Sequence, residues 1–163
     1  NVTIHFAILP HKIIFAIFLA LDYHWAFTTS YTMIKAAIIK HLENRGLEYK
    51  DYGCYNTDSC DYPVFGRAAA EAVADGTCDK GIVVCTTGIV ISIAANKVKG
   101  IRCALCTSTN LAKMTRLHNN ANMLALGASV VSEELAMDIV DTFLDTEFSN
   151  EERHIRRVEM IEK

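Results

Sequence analysis

The sequence predicts an α/β fold: a parallel sheet covered by helices on both faces. Three observations carry this. Short apolar runs alternate with helical patterns about five times along the 163 residues, which is how crossover connections build a parallel sheet. Runs such as "KGIVVC" and "ANMLALG" are apolar almost throughout, as strands buried on two faces must be. The composition, 51% hydrophobic and 21% charged, is that of a globular chain, and its length suits one domain spanning residues 1–163.

Taken in order, the first element is the apolar run Ile13–Leu21, "IIFAIFLAL". It is too short to span a bilayer, which takes about 20 residues. A signal-peptide core behind His11-Lys12 is the alternative, but no small-residue cleavage site follows, only Asp22-Tyr23-His24-Trp25. A buried parallel strand accounts for the run and places the first strand inside a divergent N-terminal region, residues 1–30. "MIKAAIIKHLENRG" then puts Ile34, Ala37, Ile38 and Leu42 on one helical face, with Gly46 as the stop. "LEYKDYG" alternates like a strand, Leu47, Tyr49 and Asp51 sharing a face. Asp61-Tyr62-Pro63 reads as a helix start with Asp61 as the cap, and that helix runs to Gly76.

"KGIVVC" is the next strand, followed by a helix, "GIVISIAANKVKG", ending near Gly100. "IRCALC" and "ANMLALG" are strands on either side of the helix "STNLAKMTRLHNN". "SEELAMDIVDTFLDTEF" is an amphipathic helix started by Ser132, and residues 149–163 form a polar C-terminal helix or arm.

Charge and cysteine usage exclude several classes. A net charge of −3 argues against nucleic acid as the partner. The dense basic stretch, Arg153-His154-Ile155-Arg156-Arg157, is the size for one phosphate group. Six scattered cysteines in a chain with ample core suit reduced thiols in a cytoplasmic protein. Cys103-x-x-Cys106 lies on a strand, where residues three apart point to opposite faces, so the pair is no shared ligand set. Histidine spacing for a metal is absent, as are a Walker motif, a dinucleotide fingerprint, a Gly-x-Ser-x-Gly elbow and a Cys-x5-Arg loop.

In a parallel sheet, ligands bind at the carboxyl ends of the strands. Those ends carry Cys85–Gly88, Thr107–Thr109 and Gly127–Ser129. Cys85 precedes a helix whose first N–H groups stabilise anions, thiolates included. Local sequence leaves it open between a base or nucleophile and a buried core thiol. His118 falls where a helix leads back into a strand, at the opposite edge, and a catalytic role there points to the site of a neighbouring subunit. His118-Asn119-Asn120 reads either as a helix C-cap or as an acid/base, His118, beside a hydrogen-bond donor to a polar substrate, Asn119. Arg153 and Arg157, four apart, either grip one phosphate or form a solvated pair.

"DYPVFGRAAAEAVADG", "CDKGIVVCTTG", "SIAANKVKGIRCALC", "MTRLHNNANMLALGA", "ELAMDIVDTFLDTEF" and "RHIRRVEMI" together resemble the type B ribose-5-phosphate isomerases and the galactose-6-phosphate isomerase subunits. The resemblance runs from about Ile34 to the C-terminus. It implies a Rossmann-like three-layer sandwich with a five-stranded, mostly parallel sheet. It also implies a homodimer with shared active sites, no cofactor and no metal, no membrane, and aldose–ketose isomerisation of a phosphorylated sugar, ribose 5-phosphate first. Cys85 is the implied base, with Thr87 assisting proton transfer and Gly88 lining the anion-binding loop. His118 is the implied ring opener, Asn119 a sugar contact, and Arg153 and Arg157 the phosphate holders.

Three departures stand out. The family loop Cys-Gly-Thr-Gly-x-Gly reads Cys85-Thr86-Thr87-Gly88-Ile89-Val90 here, with threonine and valine for two glycines. The arginine that usually follows the last strand's glycine is replaced by Ser129. The family's Asp-His pair after the first strand falls either on Thr28-Thr29 or, with an insertion, on Asp22 and His24. If Thr86 and Val90 distort the cradle, the alternative is a sugar-phosphate-binding homologue with impaired or no isomerase activity.

Overall fold

The computed structural model describes residues 12–17, 28–53 and 61–163. Its strands are β1 (Lys12–Ile17), β2 (Glu48–Asp51), β3 (Lys80–Cys85), β4 (Cys103–Leu105) and β5 (Met123–Gly127). Its helices are α1 (Thr28–Asn44), α2 (Tyr62–Ala74), α3 (Ile89–Ala95), α4 (Thr109–Asn119), α5 (Glu133–Asp145) and α6 (Glu152–Ile161). The strands hydrogen-bond in the order β2-β1-β3-β5-β4, every pairing parallel. The chain leaves β1 toward β2 on one side and returns to β3 on the other. That reversal makes the carboxyl ends of β1 and β3 the switch point of the sheet, the place where such sheets take ligands.

The two-residue period of β3 sorts the core into two layers. Ile82 and Val84 pack with Ile34, Ile38 and Leu42 of α1 and with Ile139, Val140 and Phe143 of α5. Val83 and Cys85 face the other way, toward Ala69, Ala70 and Val73 of α2 and Ile91 and Ala95 of α3. Each large aliphatic or aromatic side chain fully buried in these layers contributes about 1.5–3 kcal/mol. The sheet also separates Cys103 from Cys106, which belong to opposite layers, so they share no site. Burial pushes the Cys103 thiol up to about 12 and the Cys106 thiol up to about 11.

Several boundaries move. Helix α1 begins at Thr28, earlier than the apolar stripe shows, and α3 stops at Ala95 rather than near Gly100. The cause of the second is Asn96. Its amide donates to the Cys103 carbonyl and its side-chain oxygen accepts the Cys103 N–H, both at 2.8 Å, so it acts as a short edge strand for β4. An asparagine that satisfies backbone groups in this way competes with continuing the helix. Asp61 does stand at the start of α2, but its side chain makes no capping bond, and Pro63 in the first turn supplies the start signal. Ser108 and Ser132 do cap their helices, accepting from Leu111 N–H at 3.3 Å and Leu135 N–H at 3.2 Å. The part of the first apolar run beyond Ile17 lies outside the described residues.

Candidate active site

At the carboxyl edge, β3 ends on Cys85 and the chain turns into α3 through Thr86, Thr87 and Gly88. Gly88 is left-handed, with φ 77°. A Cβ there would stand 2.4 Å from Leu105 Cδ1 and 2.9 Å from the Leu126 carbonyl carbon, so only glycine fits. The turn aims the Gly88 N–H at Cys85 Sγ, 3.1 Å away. The Ile89 N–H lies 3.4 Å from the hydroxyl of the exposed Thr87. Cys85 is 5% exposed, so its thiol sits at the rim of the core with a backbone donor fixed on it.

The two missing glycines turn out not to require glycine. Among the described residues, the non-glycine positions with positive φ are Asn120 and Asn150, so Thr86 and Val90 keep ordinary angles. Val90 directs its side chain outward, 43% exposed, on the solvent side of α3. Ser129, where the resemblance leads one to expect arginine, has a different task. Its N–H and its hydroxyl both donate to the Thr86 carbonyl, at 3.0 and 2.7 Å. The Ala128 N–H donates to the Cys85 carbonyl at 2.9 Å, so the loop after β5 clasps the loop after β3. A Cβ on Gly127 would fall 2.6 Å from the Thr87 carbonyl oxygen, the closest approach in that clasp.

The remaining residues collect at the opposite edge. Helix α4 runs antiparallel to the strands and delivers His118 and Asn119 to the sheet's amino edge, where Asn120 ends it in a left-handed cap at φ 46°. The His118 ring lies 4.4 Å, centroid to centroid, from His154 of α6. His154 is 3% exposed, and its Nδ1 meets the Ser149 hydroxyl at 2.8 Å. Burial, followed by the charge of His118, holds the His154 imidazole below the usual histidine range. Arg153 and Arg157 are exposed one turn apart on α6, and Arg153 Nε pairs with Glu151 at 2.8 Å.

One chain therefore holds two groups: Cys85, Thr87 and Gly88 at the carboxyl edge, and His118, Asn119, Arg153 and Arg157 at the amino edge. Asp22 and His24 lie outside the described residues, and Thr28-Thr29 form the first turn of α1. Sequence reasoning gave no role to Arg102 or Arg116, placed Ser129 at the ligand edge without a task, and counted His154 only as part of the basic stretch. The last sits inside the quoted "RHIRRVEMI", and its place between two arginines was the available signal. Among the described residues no group of three or more metal-ligating side chains converges.

A parallel sheet with a thiol at its ligand edge and a backbone donor set on that thiol defines an α/β enzyme scaffold. The chain belongs to the Ribose/Galactose Isomerase family, whose model matches residues 28–161. It is 44% identical over 129 residues to ribose-5-phosphate isomerase B of Escherichia coli, covering 79% of this chain and 86% of that protein. It is 41% identical over 115 residues to the galactose-6-phosphate isomerase subunit LacB of Clostridium acetobutylicum, covering 71% of this chain and 66% of that one. The solved ribose-5-phosphate isomerase B of Clostridium thermocellum superposes with a TM-score of 0.82 at 48% identity, over 93% of this chain and 95% of its own.

Proposed function

We propose that this family member interconverts an aldose phosphate and its ketose, with ribose 5-phosphate and ribulose 5-phosphate as the pair. The single observation that carries the reading is the intact corner at Cys85. The left-handed Gly88 survives the loop's substitutions and keeps its N–H 3.1 Å from Sγ, a backbone donor aimed at the atom that would take the proton.

The reaction is a proton transfer with a charged intermediate. His118, at the sugar's ring oxygen, assists opening of the hemiacetal. The Cys85 thiolate takes the C2 proton of the open aldose, and the C–H electron pair becomes the C1–C2 double bond of a cis-enediolate while charge gathers on O1. The thiol returns the proton to C1, Thr87 helps move the hydroxyl proton from O2 to O1, and the ketone forms at C2. Loop N–H groups beside Gly88 stabilise the oxyanion, an effect worth about 3 kcal/mol per well-placed donor. Asn119 contacts the sugar hydroxyls, and Arg153 and Arg157 hold the phosphate.

Those groups sit at opposite edges of one chain, so the complete site requires two chains, a homodimer that trades half-sites. The apolar face of α3 beside the corner suits burial in that interface: Ile89, Val90 and Ile93 are 50%, 43% and 52% exposed. In this reading the sheet is the five-stranded centre of a Rossmann-like sandwich, and the enzyme works in the cytoplasm. Ordinary backbone angles at Thr86 and Val90 weigh against the alternative of an impaired homologue.

The test follows the C2 proton. With ribose 5-phosphate in deuterated water, the protein should exchange that proton and form ribulose 5-phosphate, while Cys85→Ala should do neither and keep a native circular dichroism spectrum. Near-normal turnover in Cys85→Ala would remove the base assignment, and saturable binding without exchange would favour the impaired homologue.

A further inference from the structure

Helix α6, which carries Arg153 and Arg157, is thinly attached. His154 is its one buried side chain, while Met160 and Ile161 at its end are 65% and 64% exposed. Its last turn does not rest on the core. It overhangs an open cavity of about 510 Å³ lined by Asn96, Arg102, Thr115, Asn119, Ile161 and Glu162, among others. The His154 anchor lies eight residues, roughly 12 Å of helix, from Glu162. With His154 as the buried side chain of α6, the heading of its far end depends on polar ties.

Arg102, just before β4, ties down the other end. Its Nη1 pairs with Glu162 Oε1. Its Nε is shared between the carbonyls of Asn119 and Asn120 at 3.1 and 3.0 Å, and its Nη2 donates to the Asn120 carbonyl at 2.9 Å. Arg102 is itself held, because its backbone N–H donates to Asn122 Oδ1 and the Asn122 amide donates to the Gly100 carbonyl, both at 2.8 Å. The side chains of Arg102 and Glu162 are only 17% and 31% exposed, so solvent screens the pair less than a surface ion pair. One guanidinium therefore grips both the turn after His118 and the far end of α6.

We propose that Arg102 and Glu162 form a positioning latch. It sets the direction of α6 against the His118-Asn119-Asn120 turn and thereby holds Arg153 and Arg157 where the substrate's phosphate arrives. Neither latch residue touches substrate. The proposal rests on the reading of Arg153 and Arg157 as phosphate holders and goes beyond it by naming what aims them.

Glu162→Gln weakens the latch at α6 by removing the carboxylate's charge while leaving an acceptor for Arg102 and the donors from Arg102 to the Asn119 and Asn120 carbonyls in place. The expected result with ribose 5-phosphate is a three- to tenfold rise in KM with kcat within twofold, about the difference between a charge-assisted and a neutral hydrogen bond. Glu162→Asp, which keeps the charge, should recover most of the loss. Amide hydrogen exchange should quicken in residues 156–161 of Glu162→Gln and stay unchanged in α4. Arg157→Ala separates the two claims. If Arg157→Ala raises KM and Glu162→Gln leaves both KM and α6 exchange at wild-type values, the latch is refuted and the phosphate reading stands. If Arg157→Ala leaves KM unchanged, the phosphate reading fails, and the latch as an aiming device fails with it. A kcat drop in Glu162→Gln that equals the KM effect and is not recovered by Glu162→Asp would also overturn the latch, since it would mark general loss of structure.

Discussion

Gly88 shows how much of the corner hangs on one position. At φ 77° a β-carbon meets Leu105 Cδ1 at 2.4 Å and the backbone of Leu126 and Gly127 at 2.9 and 3.0 Å. Two of those neighbours are backbone of β5, which is paired on both sides by β3 and β4, and cannot turn aside. Gly88→Ala is therefore expected to cost about 2–4 kcal/mol of stability, strain and clash together, and to move the N–H away from Cys85 Sγ. Urea unfolding measures the first and turnover of ribose 5-phosphate the second. Thr86→Gly is the control: Thr86 has no positive φ and offers its carbonyl to Ser129, so its replacement should change stability by no more than about 1 kcal/mol, through the unfolded chain. A glycine pattern read from sequence treats every departure alike. The backbone angles separate the glycine that is needed from those that are not.

Between elements, the ties that matter are polar, long-range and directed at carbonyls. Arg116 is 4% exposed on α4, yet it reaches the end of α5. It donates to the Thr146 carbonyl at 3.0 Å, the Ala121 carbonyl at 2.5 Å and Asn120 Oδ1 at 3.1 Å, with the Phe143 ring 5.7 Å from its guanidinium. Arg116→Met keeps the packing volume but strands the buried Ala121 carbonyl and the part-buried Thr146 carbonyl, and should lower stability by about 2–4 kcal/mol by chemical denaturation. Its neighbour His118 should lose position as well, so kcat is expected to fall alongside. These ties explain what the sequence could and could not disclose. Strands such as "KGIVVC" and "ANMLALG" were legible because burial on both faces demands unbroken apolar runs, and Ser132 was legible because a cap acts three residues away. Arg102, Arg116, Ser129 and Asn96 were not, because backbone carbonyls far along the chain leave no mark on sequence. Cys85, His118 and the two arginines stood out by residue type and place, and the alternation of strands and helices already set His118 at the edge opposite Cys85; that α6 brings Arg153 and Arg157 to the side of His118 was not legible.

At the scale of the whole molecule, two consequences of that division can be measured. The first concerns acid. His154 packs buried against His118, with Glu151, Arg153 and Arg157 also acting on it, and burial leads the forces that hold it below the usual histidine value. A histidine with its folded value depressed takes up its proton more readily in the unfolded chain. It therefore contributes stability above about pH 6.5 that is lost as the pH falls through the lower, folded value. Thermal unfolding should show Tm falling on acidification below about pH 6.5, with a shallower fall in His154→Asn; parallel curves would assign the acid sensitivity elsewhere. The second concerns assembly. If Cys85 of one subunit works with His118 of the other, Cys85→Ala and His118→Asn homodimers are each inactive for a different reason. Mixed and allowed to exchange subunits in equal amounts, half of the dimers become heterodimers. Each heterodimer holds one site with both residues intact and one site with neither, so activity should return to about a quarter of wild type, the share set by two-fold symmetry. A mixture that stays inactive, although exchange is confirmed by mass-tagged subunits, would place Cys85 and His118 in the service of separate events.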